Sequence, residues 1–289
     1  MRDLERILSD QISNELGESP LWSWREGCLY WVDMDSGMVY CYHPATAALK
    51  SAQFPVHITA LGEREAGGFI VATDAGFGWL DFAQGTVEIF YSPETDKSDT
   101  RLNDGAVDPS GGFVAGMKTR KADGGLYRIS PIGQPNLLDN DFIIANGMGW
   151  SLDRKSMYMT DSSKRKIYVY DFDLESGEIC NRRVLIESLE EAGVPDGLTI
   201  DADGFIWSAR WGGWKIQRYD PEGILVQEVK VPVECPTSLM FGGDDLDQLY
   251  ITSCRSEITP GTEKQQPDAG GLFRFIPGVR GVLEPLFKG

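Results

Sequence analysis

Four short polar motifs in this chain carry oxygen side chains that could bind a cation, and each stands just before a short apolar segment. They are contributed by Glu18, by Asn103 with Asp104, by Asn146 and by Asp196. Carboxylate and amide oxygens are the ligands that hard divalent ions such as Ca²⁺, Mg²⁺ and Mn²⁺ prefer. The chain has only two histidines, and its five cysteines form no CxxC pair. A thiolate site is therefore not indicated, the cysteines are expected to be reduced packing residues, and oxygen is expected to hold any catalytic metal.

The apolar segments recur along the chain at an almost constant interval. Their anchor residues follow one another at steps of 40, 44, 44, 48 and 44 residues: Leu29, Phe69, Phe113, Met157, Phe205 and Leu249. A period in the 40s is typical of propellers or of helical repeats. The segments CLYWVD, GGFIVAT and SMYMTD are short and rich in aromatic and β-branched residues, which favours strands. The pattern predicts an all-β fold, a six-bladed β-propeller with four antiparallel strands per blade.

Six repeats of about 44 residues use nearly all of the 289 residues, so the sequence predicts one domain over residues 1–289. No long linker or low-complexity stretch divides it. The first apolar segment, LERIL, is expected to complete the last blade beside VLEPLF, because closing the ring in this way hides exposed strand edges.

The charge of the chain limits its partners. The formal net charge is −17, which opposes binding to nucleic acid or to an anionic membrane. No apolar run approaches the roughly 20 residues of a membrane span, and the N-terminus MRDLERILSD is charged where a signal peptide is apolar. A cytoplasmic protein with a small-molecule partner and no obligate protein partner is expected.

The repeat register predicts where the acids meet. In a propeller the first strand of each blade lines the central channel, so equivalent residues form a ring around one axis. The motifs GESPLW, NDGAVD, NGMGWS and PDGLTI put Glu18, Asp104, Asn146 and Asp196 at equivalent places. Converging carboxylates repel one another unless a cation neutralises them, so a divalent metal on the axis is predicted. The alternative, that these Asx-Gly pairs are simple turns, is less consistent with three of them at one register.

These motifs resemble the gluconolactonase, senescence-marker-protein and regucalcin family of six-bladed propellers. LGESPLW, RLNDGAVDPSGGFVAG, NGMGWSLD, PDGLTIDADGFIWSA and PDAGGLFRF occur in the family's order over nearly the whole chain. The resemblance implies one divalent metal on the axis, bound by Glu18, Asn146 and Asp196, and contacts from Arg101 and Asn103 to a sugar lactone. Calcium is favoured, with magnesium, manganese, zinc or iron as alternatives. The implied activity is hydrolysis of an aldonolactone to its open acid.

These residue types suit that chemistry. A divalent ion can polarise the lactone carbonyl and make nearby water more acidic. Asp196 could serve as general base, with Asp104 as the alternative. Arg101 could hold ring hydroxyls or stabilise the negative charge that develops near the carbonyl.

One segment departs from the family. After FVAG many relatives continue into a longer loop with an acid that touches sugar hydroxyls, whereas this chain has the short basic run MKTRK. A local positive spot at the mouth is expected from Lys118, Arg120 and Lys121 beside Arg101, joined by Arg210 and Arg255 at comparable strand ends. The sequence thus suggests the hypothesis that the substrate lactone carries a carboxylate.

Two other functions stay open at this point. Hydrolysis of other esters or of organophosphates would be favoured by an apolar pocket rim, and the basic loop speaks against it. A non-catalytic calcium-binding propeller is the third possibility, although no EF-hand loop is present. Trp150, Trp211 and Trp214 are candidates for an apolar wall against a sugar ring, with core packing as the alternative. The polar segment 257–268 is expected to be a solvated surface loop.

Overall fold

In the computed structural model, which describes residues 4–9 and 11–289, six four-stranded antiparallel sheets surround a central channel. Residues 1–3 and 10 of the predicted domain lie outside the described part. The prediction of a six-bladed β-propeller is confirmed. Each blade begins with an innermost strand: β2 (Gly17–Ser23), β6 (Ile58–Glu63), β10 (Arg101–Val107), β14 (Ala145–Trp150), β18 (Val194–Ile200) and β22 (Pro236–Gly242).

The second strands follow the predicted anchor segments: β3 (Cys28–Asp33), β7 (Phe69–Thr73), β11 (Phe113–Lys118), β15 (Ser156–Asp161), β19 (Ile206–Trp211) and β23 (Gln248–Ser253). The third strands are β4 (Met38–His43), β8 (Gly76–Asp81), β12 (Gly124–Ile129), β16 (Lys166–Phe172), β20 (Lys215–Tyr219) and β24 (Leu272–Phe275). The outermost strands are β5 (Ala48–Gln53), β9 (Thr86–Tyr91), β13 (Pro135–Phe142), β17 (Ile179–Glu187), β21 (Leu225–Lys230) and β1 (Glu5–Ile7). A 3₁₀ turn, Glu190–Ala192, precedes β18. No helix in the described residues is long and apolar enough to cross a membrane.

The ring closes through the N-terminal strand. β1 pairs antiparallel with β24, with Glu5 opposite Arg274 and Ile7 opposite Leu272. The N-terminal strand therefore completes the last blade as predicted, but the prediction that it lies beside the VLEPLF segment was wrong. That segment instead crosses the far face of the propeller, where the backbone N–H of Phe287 donates to the Glu63 carbonyl at 2.8 Å. Pro285 within it has no N–H to give to a strand ladder.

The core lies between neighbouring blades, because the inner two strands of each blade are covered on both faces. Every residue of β3 and β7 is buried, and both strands are apolar except at their last residues, Asp33 and Thr73, so apolar and polar residues do not alternate along them. Trp31, Phe113 and Trp207 are fully buried there. Burial of a side chain such as Phe113 contributes roughly 1.5–3 kcal/mol. The outer strands, such as β5, are mostly exposed and contribute less.

Candidate active site

Each innermost strand contains a register shift against its second strand, and this irregularity positions the polar ring. Trp22 pairs with Leu29 near the start of β3, and Glu18 lies four residues before Trp22. In every blade, the residue four positions before the equivalent of Trp22 is polar, and none of these residues is more than 7% exposed. They are Glu18, Thr59, Asn103, Asn146, Asp196 and Thr237. The blades therefore form a ring of equivalent polar residues, with two threonines in the blades that lack an acid or amide.

The third blade corrects the sequence alignment by one residue. Val107 pairs with Phe113, so Asn103 and not Asp104 occupies the ring position of that blade. The shift falls between Leu102 and Asp104, which leaves Asn103 as the extra residue of the bulge. A bulge adds one residue to one strand, and a count of residues along the sequence cannot show on which side it falls. Asp104 instead lines the axial cavity on the other side of the ring.

The glycines after Asn146 and Asp196 are required by close packing of neighbouring blades rather than by a turn. A Cβ on Gly147 would lie 2.5 Å from the backbone nitrogen of Leu198, and one on Gly197 would lie 2.5 Å from the Ser238 Cβ. Both distances are far below ordinary contact. The NG and DG pairs thus bring the blades close enough for their polar side chains to converge.

Two aspartates at the ends of second strands hold the chain segments that lead into the ring. The Asp33 carboxylate accepts the N–H groups of residues 15–16 at 3.0 and 2.9 Å, just before β2. The Asp161 carboxylate accepts those of residues 143–144 at 3.2 and 3.4 Å, just before β14. The Asp that closes the YWVD and YMTD motifs is therefore a positioning residue for the first and fourth blades.

Four members of the ring line one pocket of about 300 Å³ at the mouth of the channel. Glu18, Asn103, Asn146 and Asp196 share it with Arg101. All five predicted site residues thus lie around one space, although they are far apart in sequence. Its volume is at the low end of the range for small-molecule sites. Apolar residues complete the wall: Leu16, Met34, Ile144, Val194 and Trp211.

Hydrogen bonds fix the orientation of Asn146. Its Nδ2 donates to the Asp196 carboxylate and to the Ser162 hydroxyl, the latter at 3.0 Å. The Ser162 hydroxyl in turn donates to the Pro195 carbonyl at 2.8 Å. The Asn146 Oδ1 is buried and has no hydrogen-bond partner among the residues that the structure describes. An orphaned buried acceptor is costly, so this oxygen is the atom of the site most clearly prepared for a ligand.

Burial and mutual repulsion disfavour ionisation of the acids. Burial raises the pKa of Glu18 well above its usual range, and the nearby charges of Asp196 and then Asp104 raise it further. The pKa of Asp196 is raised by burial first and then by Asp104, while Lys118 acts in the opposite direction. Burial raises the pKa of Asp104 to about 6. A bound cation would reverse these shifts, since an opposite charge favours the carboxylate form.

These residues fit a divalent metal. Glu18 and Asp196 supply carboxylates and Asn146 supplies its unpartnered amide oxygen, an oxygen-only set that matches hard ions. No group of three or more His, Cys, Asp or Glu side chains is arranged for a metal anywhere in residues 4–9 and 11–289. Glu18, Asp196 and Asn146 do not form such a group, because only two of the three are acids and the third is an amide. With these ligands the site would leave coordination positions open for water and substrate.

Arg101 and Asn103 are joined to each other beside the acids. Arg101 donates through one terminal nitrogen to the Asn103 Oδ1 at 2.8 Å and to the Leu102 carbonyl at 2.9 Å. The Asn103 Nδ2 donates to the Ala145 carbonyl at 2.9 Å, which ties the third blade to the fourth. Burial lowers the pKa of Arg101, although four surrounding carboxylates act against this shift.

Only part of the predicted basic cluster reaches the pocket. Lys118 lines it, but Arg120 is exposed and lies 3.6 Å from Asp99. The other three predicted members lie elsewhere: Lys121 is exposed, Arg210 is fully buried between Ser188 and Tyr219, and Arg255 forms a surface ion pair with Glu15. The placement of Arg210 at the mouth was wrong, because β19 continues to Trp211 and carries Arg210 into the core. Arg255 does not line the pocket, since its side chain pairs with Glu15 instead.

Two charged residues of the pocket, Arg165 and Glu257, were not expected from the sequence. Arg165 lines the pocket and donates to the carbonyls of residues 189, 190 and 193 at 2.7, 2.8 and 3.1 Å. It thereby holds the 3₁₀ turn that leads to Asp196. Glu257 begins the segment predicted to be a solvated loop, yet it also lines the pocket. No motif marks either residue, because both act from loops that only the closed ring brings to the mouth.

The tryptophans and cysteines named from the sequence also match their predicted roles only in part. Trp211 lines the pocket and supplies an apolar wall. Trp150 lies in a different cavity beside the C-terminal segment and packs against Phe172. Trp214 is 36% exposed on a turn. All five cysteines are free, but only four are buried, since Cys180 is exposed on β17.

The fold and the site together define a six-bladed propeller with a polar, oxygen-rich ring at one end of its axis. Residues 16–255 match the family described as SMP-30/Gluconolactonase/LRE-like region. The chain is 36% identical over 278 residues to the 6-deoxy-6-sulfogluconolactonase of Pseudomonas putida, with 95% of each chain covered. It is 34% identical over 300 residues to the regucalcin of Xenopus laevis, which covers 99% of this chain and 98% of that protein.

Solved structures agree with these sequence relatives. A luciferin-regenerating enzyme superposes with a TM-score of 0.93 at 28% identity, with all of both chains covered. A calcium-binding protein of Agrobacterium tumefaciens, a regucalcin, superposes with a TM-score of 0.89 at 28% identity, covering 95% of this chain and 94% of that one. This chain belongs to the SMP-30/Gluconolactonase/LRE-like family. The resemblance noted from the sequence motifs is confirmed.

Proposed function

We propose that this protein hydrolyses the lactone of a sugar acid to the open-chain acid, with one divalent cation as cofactor and calcium as the favoured ion. The observation that carries the proposal is the convergence of Glu18, Asn146 and Asp196 on one pocket, with the Asn146 Oδ1 buried and free of partners in the described chain. The relative from Pseudomonas putida, named a 6-deoxy-6-sulfogluconolactonase, supports a hydrolase that acts on a carboxylic ester.

Hydrolysis of a lactone adds water across the ring ester. The bond from the carbonyl carbon to the ring oxygen breaks, a bond from that carbon to the water oxygen forms, and the ring oxygen leaves as a hydroxyl after it gains a proton. Asp196 is suited to accept the proton of the attacking water and to return it to the ring oxygen. It lies in the pocket, whereas Asp104 lines the axial cavity, so Asp196 is the favoured base.

The remaining residues hold the substrate. Arg101 contributes a positive charge at the pocket wall, where it can stabilise the carbonyl oxygen as negative charge develops on it. Asn103 is oriented by Arg101 and by the Ala145 carbonyl and can hydrogen-bond ring hydroxyls. Trp211 offers an apolar face to the sugar ring. The divalent ion, when bound to Glu18, Asn146 and Asp196, would supply Lewis-acid polarisation of the carbonyl and favour ionisation of both acids.

Two competing functions each have an observation in their favour. The relative from Agrobacterium tumefaciens is described as a calcium-binding protein, and the oxygen ligands of this site suit calcium equally without catalysis. The apolar wall would also accept a less polar ester. A direct assay separates these functions from the proposed one.

The test is a pH-stat assay over a panel of aldonolactones and simple esters, with the spontaneous rate subtracted. Treatment with a chelator should abolish lactone hydrolysis, and one of Ca²⁺, Mg²⁺, Mn²⁺, Zn²⁺ or Fe²⁺ should restore it. Circular dichroism of the chelated protein should show an intact propeller, which serves as the control. Activity that survives exhaustive chelation would contradict the metal requirement. Tight calcium binding without hydrolysis of any lactone would favour the non-catalytic alternative.

A further inference from the structure

Two cations stand side by side at the mouth of the pocket. Arg101 and Lys118 are directly paired across β10 and β11, and both line the pocket. Directly opposed residues of an antiparallel pair have their Cβ atoms about 4.5–5.5 Å apart, and like charges in that arrangement are destabilising. A pair of this kind persists at lower cost where an anion lies against it.

Lys118 lines the pocket without an ion-pair partner in the part of the chain that the structure describes. Within residues 4–9 and 11–289 it forms no ion pair, whereas Arg120 lies near Asp99 and Arg255 pairs with Glu15. Arg165 is occupied by backbone carbonyls. Lys118 is half-buried at the end of β11, so its reach is directed by the strand rather than by a loose loop.

The acids of the pocket do not account for this charge. Glu18 and Asp196 are the two carboxylates that fit a divalent ion, and their charges would be offset by it. Among the residues that line the pocket, Glu257 then remains as the one acid beside three cations, Arg101, Lys118 and Arg165, while Asp35 and Asp74 act on Arg101 from outside the lining. The third blade contributes Arg101, Asn103 and Lys118 to the lining, so its part of the pocket wall carries two positive charges and no negative one in a protein of net charge −17.

We infer that the substrate lactone carries a second, anionic group on the carbon chain away from the reacting carbonyl, and that Lys118 binds this group beside Arg101. The inference rests on the proposed lactonase function. A carboxylate or a sulfonate has the same chemistry here, a compact oxyanion that accepts charge-assisted hydrogen bonds from an ammonium group. Lys118 is a specificity residue in this scheme and takes no part in bond making.

The experiment compares three lactones of the same sugar: one with a neutral terminal CH₂OH, one with a carboxylate at that carbon, and one with a sulfonate attached there. The value of kcat/KM for each is measured for the wild-type protein, for Lys118→Gln and for Lys121→Gln. Lys121 is an exposed lysine three residues further along the chain and gives the matched control. The readout is the ratio of the anionic to the neutral lactone, so a general loss of activity cancels.

The wild-type protein should prefer an anionic lactone, and Lys118→Gln should lower the ratio at least about tenfold, as expected for loss of one hydrogen bond to a charged group. Lys121→Gln should leave the ratio within about twofold, because exposed charges contribute little. The carboxylate and sulfonate arms show which oxyanion is preferred. A wild-type preference for the neutral lactone, or an unchanged ratio in Lys118→Gln, would overturn the inference.

A binding measurement tests the anion site at Lys118 independently of lactone hydrolysis. Calorimetry of the open-chain dicarboxylic acid and of the matching monocarboxylic acid requires no turnover. Tighter binding of the diacid that is lost in Lys118→Gln supports the anion site even if no lactone is hydrolysed. Equal binding of both acids by the wild-type protein counts against it. Failure of every lactone to react would refute only the proposed function.

Discussion

At the scale of single residues, the site is built from groups whose ionisation the protein disfavours. Glu18 and Asp196 are both buried, and each is raised in pKa by burial and by a neighbouring acid. The two carboxylates therefore repel each other when both are ionised, and a cation bound between them would offset this repulsion. Asn146 contributes a neutral oxygen in the same place, which adds a ligand without adding repulsion. Such a set sacrifices stability in the metal-free protein for binding of the ion.

Replacement of Asp196 by Asn tests this trade-off. Asp196→Asn should lower kcat/KM for lactone hydrolysis at least about a hundredfold, because the general base and a metal ligand are lost together. The same change should weaken cation binding in calorimetry and should leave the Tm of the metal-free protein unchanged or higher, since a buried carboxyl is replaced by a neutral amide. Asp153→Asn, at an exposed turn, is the control and should retain full activity. Full activity in Asp196→Asn would remove this residue from the mechanism.

At the scale of elements, the ring depends on bulges and on the aspartates that end the second strands. The register shifts of β2, β10, β14 and β18 fall at the ring residue of each strand or directly after it. Asp33 and Asp161 fix the chain just before two of these strands by accepting pairs of backbone N–H groups. A strand that carries a ligand must be held at both ends if its side chain is to keep its direction.

Replacement of Asp161 by Ala should loosen the fourth blade. It leaves the N–H groups of residues 143–144 without their acceptor, which should lower the free energy of unfolding by about 1–3 kcal/mol in urea denaturation. Cation affinity should fall as well, because the segment before Asn146 is no longer fixed. Asp173→Ala is the control for loss of a backbone acceptor, since Asp173 accepts two backbone N–H groups in its own exposed turn, where water can replace it. Asp161 likewise accepts the N–H of Lys164 in its own turn, in addition to those of residues 143–144. Equal losses in the two variants would argue against the positioning role of Asp161.

At the scale of the whole molecule, the two chain ends close the propeller in different ways. β1 completes the last blade, while residues 281–289 cross the far face of the ring. The cross-face segment is held by backbone hydrogen bonds from Gly281 to the Leu246 carbonyl and from Lys288 to the Gly111 carbonyl, each 2.8–3.0 Å long. It brings Glu284 against the axial cavity that Asp104 also lines. Burial without a compensating charge raises the pKa of Glu284 to about 7.

The pKa of Glu284 predicts a pH-dependent contribution to stability. Between its ordinary value of 4.5 and about 7 the folded protein holds a proton that the unfolded chain has lost, so stability should fall as pH rises through this range. Glu284→Gln should therefore raise the Tm above pH 7 by about 2–4 °C, and the difference should shrink toward pH 5. Asp104 and Arg154 are the other charged groups that line the cavities around Glu284, and the Glu284→Gln variant retains both. The exposed Glu175→Gln serves as control, and a pH-independent difference would contradict the assignment.

The sequence determined the architecture and the kinds of residue at the site. The strand period, the glycine-bounded apolar segments and the placement of Glu18, Asn146 and Asp196 before three of them predict the propeller and its oxygen-rich axis, because repeat spacing and residue type are local properties of the chain. The tertiary structure decided what depends on contacts between blades. It placed Asn103 rather than Asp104 in the ring, buried Arg210, and brought Arg165 and Glu257 to the pocket. Bulges, and loops that meet only when the ring closes, set these positions, since the distance between two side chains on different blades is fixed by the packing of the sheets between them.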